Sequence, residues 1–184
     1  MLQVVKPVFS LVISAAVFPL YAQLDPKNNL APYVPSPQPI VDRMLDAAAL
    51  KPGETLFDLG CGDGRVLVTA AKHFKAKAVG VELNEKLVRM ANDSIRQNKV
   101  EGLASVLHAN LLDVDLSRAD VVTLYLLTDA NAKLKPRLEK FLKPGARVVS
   151  HDFEIKGWKP ARVEEVEAHR RAHRIYVYEI GKSN

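Results

Sequence analysis

The chain has 184 residues, 48% hydrophobic and 26% charged, which excludes a disordered chain and leaves room for one domain with a real core. Lys and Arg number 26 against 21 Asp and Glu, a net charge of +5, yet the basic residues are spread out and form no nucleic-acid-binding arm. The single cysteine, Cys61, excludes an internal disulfide and a metal site built on cysteines.

At the N-terminus, Lys6 precedes an uncharged apolar stretch from Val8 to Leu20, and Tyr21-Ala22 leads into polar residues. This is the arrangement of a secretory signal peptide, and the stretch falls short of the ~20 apolar residues that cross a bilayer. The expectation is an exported or membrane-associated protein on the periplasmic side, or a cytoplasmic one if the segment is not a signal. Residues 1–22 are read as that segment, 23–36 as a proline-rich linker, and 37–184 as the folded domain.

From Ile40 the apolar residues Ile40, Val41, Met44, Leu45 and Ala48 recur at helical spacing, and Lys51-Pro52-Gly53 ends the helix. Strands and helices then alternate. Strands are expected at Thr55 to Leu59, Ala78 to Leu83, Ala104 to Ala109, Val121 to Leu127 and Arg147 to Phe153. Helices are expected at Arg65 to Phe74, Glu85 to Asn98 and Ala130 to Phe141. This order predicts an α/β fold with a mostly parallel sheet. Arg162 to Ala168 and Arg174 to Ile180 read as a closing antiparallel hairpin. The intervening residues, including His169, Arg170, Arg171 and His173, are expected to form a solvated loop and not a metal site.

The chemistry concentrates at the end of the first strand, in Asp58-Leu59-Gly60-Cys61-Gly62-Asp63-Gly64-Arg65. Ligands of open α/β sheets bind outside the carboxyl ends of the strands. The glycines follow a G-x-G-x-G spacing, not the G-x-G-x-x-G of dinucleotide folds. Asp58 stands two residues before Gly60, where a carboxylate suits a cation and is awkward beside a pyrophosphate. S-adenosylmethionine carries a sulfonium and an ammonium and no phosphate, so charge favours it as cofactor. Glu82 lies 22 residues after Gly60, near the spacing of a ribose-binding acid, with Leu83 beside it. After strand three, Asn110 is placed to reach the adenine edge and Leu111 to pack on the ring. Cys61 is the small residue within the loop.

These residues, followed by Gly80-Val81-Glu82-Leu83-Asn84, resemble the Rossmann-like class I methyltransferases. More narrowly, Tyr33-Val34-Pro35-Ser36-Pro37, the strand Val121 to Leu127, and Arg147 to Phe153 followed by Trp158 and Pro160 resemble the ATP synthase c-subunit lysine methyltransferases and their bacterial relatives. The resemblance runs from about Tyr33 to the C-terminus. It implies methyl transfer to a lysine ε-amine of a protein, with Tyr33 and Ser36 closing the cofactor site. Asn110 departs from the aspartate usual there. The short link from Phe153 to Ala161 leaves no room for the last helix of the usual fold. Tyr125, at the end of strand four, is the candidate for orienting the amine. His151 and Asp152 could face the same cleft, with His151 as general base or as a structural hydrogen-bonding group. Trp158 would wall the acceptor channel or cover the sheet edge. A monomer is expected, with no nucleic-acid partner. The alternatives are a methyltransferase acting on RNA or a small molecule, and a non-catalytic cofactor-binding protein. The second draws weight from the signal-like segment, since exported proteins do not normally meet S-adenosylmethionine.

Overall fold

The computed structural model describes residues 33–182, so the expected signal segment and most of the expected linker lie outside the described residues. The elements alternate as α1 (Gln38–Ala47), β1 (Thr55–Leu59), α2 (Arg65–Phe74), β2 (Lys77–Glu82), α3 (Glu85–Gln97), β3 (Ala104–His108) and β4 (Val121–Leu124). Next come α4 (Thr128–Phe141), β5 (Arg147–His151), β6 (Arg162–Ala168) and β7 (Arg171–Glu179). The first helix starts earlier than expected because Pro37 caps it and Pro39 falls in its first turn, where the missing N–H costs nothing.

The strands form one sheet in the order β3-β2-β1-β4-β5-β7-β6. β1 pairs in parallel with β2 and β4, β3 with β2, and β5 with β4. β7 runs antiparallel to both β5 and β6. The expected α/β fold with a closing hairpin is therefore present. As the short link implied, residues 152–161 return from β5 to β6 without a helix.

Alternate strand residues feed two cores. On one face Leu56, Val121, Val149, Ile175 and Val177 pack under α1, α2 and α3. On the other, Leu59, Val122, Leu124, Val148 and Tyr178 pack under Leu134 and Leu138 of α4. Burial on both faces explains the near-continuous apolar runs of the central strands. Among the described residues, no helix is long and apolar enough to cross a membrane.

Trp158, in the β5–β6 link, covers the second core. Its indole nitrogen donates to Glu139 Oε1 at 2.9 Å, and its ring lies 5.5 Å from the Tyr178 ring. It therefore seals the α4 side of the sheet and does not line the cleft described below. The fully buried Tyr178 accepts a hydrogen bond from the Ile155 amide at 2.9 Å through its hydroxyl oxygen. Tyr178→Phe leaves that amide unpaired and is expected to cost about 1–3 kcal/mol in urea unfolding. A change within error would show that the link holds without this bond.

The hairpin differs from its expected form. His169 and Arg170 alone make the turn, with φ of 49° and 63°, the geometry of a tight two-residue hairpin. β7 therefore begins at Arg171, and His173 is a strand residue with 5% exposure, not part of a solvated loop. Alternation along β7 turns it inward, and its hydrogen bonds make burial of the ring tolerable.

Candidate active site

A cleft of about 1030 Å³, counted to its open mouth, lies over the carboxyl ends of β1, β2 and β4. Tyr33, Ser36, Asp58, Gly60, Cys61, Gly62, Glu82, Leu83, Asn110, Leu111 and Tyr125 all line it. Eleven positions chosen from sequence are thus brought together by the fold; His151 is the exception.

The glycine loop is built by its own backbone. Gly60 and Cys61 donate their amides to the Val81 carbonyl at 2.8 and 3.1 Å, and Gly64 donates to the Cys61 carbonyl. Gly62 donates to Glu82 Oε2 at 3.1 Å, while the other Glu82 oxygen accepts from the Asn84 amide at 2.8 Å. The Glu82 carboxylate is thereby braced at the end of β2, with lone pairs left for hydroxyl donors. Gly62 has φ of +54°, and a Cβ there would lie 2.6 Å from Tyr33 Cε2. Both the backbone and the neighbouring ring require glycine at this position. Cys61 is buried beside Gly80, where a Cβ would lie 2.5 Å from its sulfur. Burial pushes its thiol pKa up, which leaves it inert as a nucleophile.

Asp58 is 6% exposed and accepts a hydrogen bond from Thr123 Oγ1 at 2.7 Å. Burial raises its pKa to about 7; the Thr123 bond opposes this, and the Glu82 and Asp63 charges add to it. A buried carboxylate under such strain is poised for a cation. Thr123 was not singled out from the sequence, although a hydroxyl inside the apolar run of β4 was the available signal.

Residues 33–37 run as a strap across the loop. The Asp63 carboxylate takes the Arg65 guanidinium through Nε and Nη2 at 3.0 and 2.6 Å. Arg65 Nη1 donates to the Ser36 carbonyl at 2.7 Å. Tyr33 remains 40% exposed at the mouth, its phenol pKa raised by burial and by Asp63. This clamp was also missed in the sequence, because Asp63 and Arg65 read there only as part of the glycine motif.

Asn110 lines the cleft, but its side-chain oxygen accepts the Leu112 amide at 2.9 Å. The expected reach to an adenine edge therefore falls to its remaining lone pair and its amide nitrogen. Leu111 is buried beside it.

Tyr125 follows β4 directly and stacks on His151, with ring centroids 3.8 Å apart and planes at 28°. His151 does not face the cleft. It is fully buried behind Tyr125, Nδ1 hydrogen-bonded to Ser36 Oγ at 2.9 Å and Nε2 to His173 Nδ1 at 2.8 Å. Burial lowers its pKa to about 4, against the pull of Asp152. The general-base reading of His151 therefore gives way to the structural one: both nitrogens are engaged and the ring has no access to an acceptor.

The residues fit S-adenosylmethionine. A buried carboxylate waits for a cation, a braced carboxylate ends β2, and glycines leave space where side chains would collide. This fold and site define a class I S-adenosylmethionine-dependent methyltransferase. The ANTKMT methyltransferase domain matches residues 58–162, more than half of the chain, and the chain belongs to that family. It is 52% identical over 152 residues to a protein-lysine N-methyltransferase of Saccharolobus islandicus, covering 82% of this chain and 94% of that one. It is 30% identical over 132 residues to the human lysine N-methyltransferase of the ATP synthase c-subunit, covering 72% of this chain and 56% of that one. Among solved structures, an RNA methyltransferase from Salinibacter ruber in complex with S-adenosyl-L-homocysteine superposes with a TM-score of 0.77. It is 40% identical, and the match covers 81% of this chain and 95% of that one.

Proposed function

We propose that the protein transfers the methyl group of S-adenosylmethionine to the ε-amine of a lysine in a protein substrate. The observation that carries this reading is the 52% identity to the Saccharolobus islandicus lysine methyltransferase along nearly its whole length. The charge of the cleft supports it. Among the described residues that line the cleft, Asp58 and Glu82 have no cationic partner, while the single guanidinium, Arg65, is paired with Asp63. Such a lining attracts a cationic side chain and repels a phosphate backbone.

When bound, the cofactor supplies an electrophilic methyl on a sulfonium. The protein's share is positioning and desolvation. Asp58 holds the cationic end, Glu82 the ribose, and the strap covers the cleft from Tyr33 to Ser36. The acceptor amine must be neutral to attack, and its ordinary pKa is about 10.4. The apolar walls Leu124 and Leu126 and the Tyr125 ring favour the neutral form. The Tyr125 hydroxyl orients the lone pair along the line of displacement. The second reading, methylation of RNA, is favoured by the name of the Salinibacter ruber relative.

The two are separated by incubating the protein with labelled cofactor and a lysate that retains both macromolecules. Label in protein, with intact masses rising by whole methyl increments and lost when the target lysines are acetylated, is expected. Label confined to RNA would sink the lysine reading.

A further inference from the structure

A chain of hydrogen bonds, buried except at its Asp152 end, runs from the hairpin to the strap. Asp152 Oδ2 lies 3.1 Å from His173 Nδ1, which lies 2.8 Å from His151 Nε2, and His151 Nδ1 lies 2.9 Å from Ser36 Oγ. Asp152 adopts φ of +60° to bring its carboxylate there. Its amide donates to the Arg174 carbonyl at 2.7 Å, and the Arg174 amide donates to Oδ1 at 3.0 Å. A non-glycine residue held in this region is a backbone cost that the surroundings must offset.

The proton positions in this chain follow from donor counting. Asp152 is paired with Arg171, so its carboxylate is ionised and can only accept. Facing it, His173 must place its proton on Nδ1. That proton also points at His151 Nε2, which must then be the unprotonated nitrogen of a neutral ring. The His151 proton is left on Nδ1, where it donates to Ser36 Oγ. Ser36 therefore accepts from His151, and its own hydroxyl proton is free to turn into the cleft that Ser36 lines. The opposite assignment would leave a bare His173 Nδ1 lone pair 3.1 Å from the Asp152 carboxylate and would serve that oxygen only through the His151 Nε2 proton, 3.4 Å away, so the shorter contact favours the proton on His173 Nδ1. Arg171, which also approaches His173 Nδ1 at 3.2 Å, is the exposed member and leans on the same carboxylate. The 2.8 Å between the two histidine nitrogens is a hydrogen-bond distance.

Such a donor serves the cleft on the side of the glycine loop and the strap. S-adenosylmethionine bears a carboxylate as well as its two cations. The amides of Gly60, Cys61, Gly62 and Gly64 are spent within the loop and on Glu82. Arg65 is spent on Asp63 and the Ser36 carbonyl. We propose that Asp152 and His173, acting through the Nδ1–H tautomer of His151, are positioning residues that make Ser36 a hydrogen-bond donor to the carboxylate of the bound cofactor. The inference rests on the cofactor assignment and is independent of the acceptor.

Two measurements test it. In the full chain labelled with ¹⁵N-histidine, ring correlations at pH 7.5 are expected to show a protonated Nδ1 and an unprotonated Nε2 at His151, shifting toward the other tautomer in Asp152→Asn. Calorimetric titration of Ser36→Ala is expected to show S-adenosylmethionine binding weakened about tenfold, as for a lost bond to a charged group. Decarboxylated S-adenosylmethionine should bind wild type and Ser36→Ala equally. An Nε2–H tautomer at His151 in the wild type would overturn the proposal. So would undiminished binding by Ser36→Ala, or an equal loss for the decarboxylated cofactor. If neither protein binds the cofactor at all, the site assignment itself has failed, a result distinct from these.

Discussion

Asp58→Asn is expected to weaken S-adenosylmethionine binding at pH 8 by thirtyfold or more while leaving the protein as stable as before, or more so. Removing one partner of a desolvated charge pair costs about 2–5 kcal/mol, and the first figure already corresponds to roughly thirtyfold. The stability half of the prediction follows from linkage. The pKa of Asp58 is raised by burial from 3.8 to about 7. Below pH 4 the group is protonated in both the folded and unfolded chain and contributes nothing. Between pH 4 and 7 the unfolded chain gives up this proton while the folded protein keeps it, so stability from this group falls as pH rises through that window. Above pH 7 the full cost of the buried charge persists, and asparagine removes it. In the wild type, cofactor affinity should fall about tenfold for each pH unit below 7, as a proton comes to compete with the cation. Titrations in buffers of different ionisation enthalpy should register proton release on binding at pH 6. A flat affinity from pH 5.5 to 8 would show that Asp58 is not the cation's partner.

The second large effect is expected at Tyr125. Burial raises its phenol pKa above the ordinary value, and Asp152 adds to the shift, so the hydroxyl stays protonated at neutral pH. It can orient an amine but not act as a phenolate base. Tyr125→Phe keeps the stack on His151 and loses only the hydroxyl. Tyr125→Ala also releases the ring that is held 3.8 Å from His151. A misplacement of about 1 Å at a reacting centre costs on the order of a hundredfold. We expect kcat to fall about tenfold in Tyr125→Phe and about a hundredfold in Tyr125→Ala, with the dissociation constant for S-adenosylmethionine little changed in both. Single-turnover methylation of a lysine peptide at saturating cofactor measures this. Wild-type kcat in Tyr125→Phe would remove the hydroxyl from the reaction.

The cofactor half of this site was legible in the sequence because local rules govern it. Close backbone approach demands glycine at residues 60, 62 and 64, and the β1–α2 and β2–α3 junctions bring Asp58 and Glu82 to one edge by simple alternation. What stayed hidden depends on pairings far apart in the chain. Thr123 meets Asp58 only through β1–β4 register, 65 residues away. His173 looked like loop because charged and polar residues surround it in sequence. Only the two-residue turn at His169-Arg170 fixes the register that faces it inward against His151. His151 itself does end β5, as its place in the apolar run implies. Its side chain belongs to the strap and the hairpin, and sequence carries no signal for which neighbour a buried imidazole will satisfy.

The family match spans residues 58–162, but the strap over the cleft and the hairpin end of the hydrogen-bond chain that holds it lie on either side of it. Tyr33 and Ser36 precede that span, and Arg171 and His173 follow it. A fragment trimmed to the matched span would also lose α1, with its buried Ile40, Val41, Met44 and Leu45, and the β7 strand that pairs with β5. The part by which the family is recognised is therefore smaller than the part that can work. A fragment meant to keep the site has to include the strap upstream of Gln38 and the whole of β7, not only the shared motif.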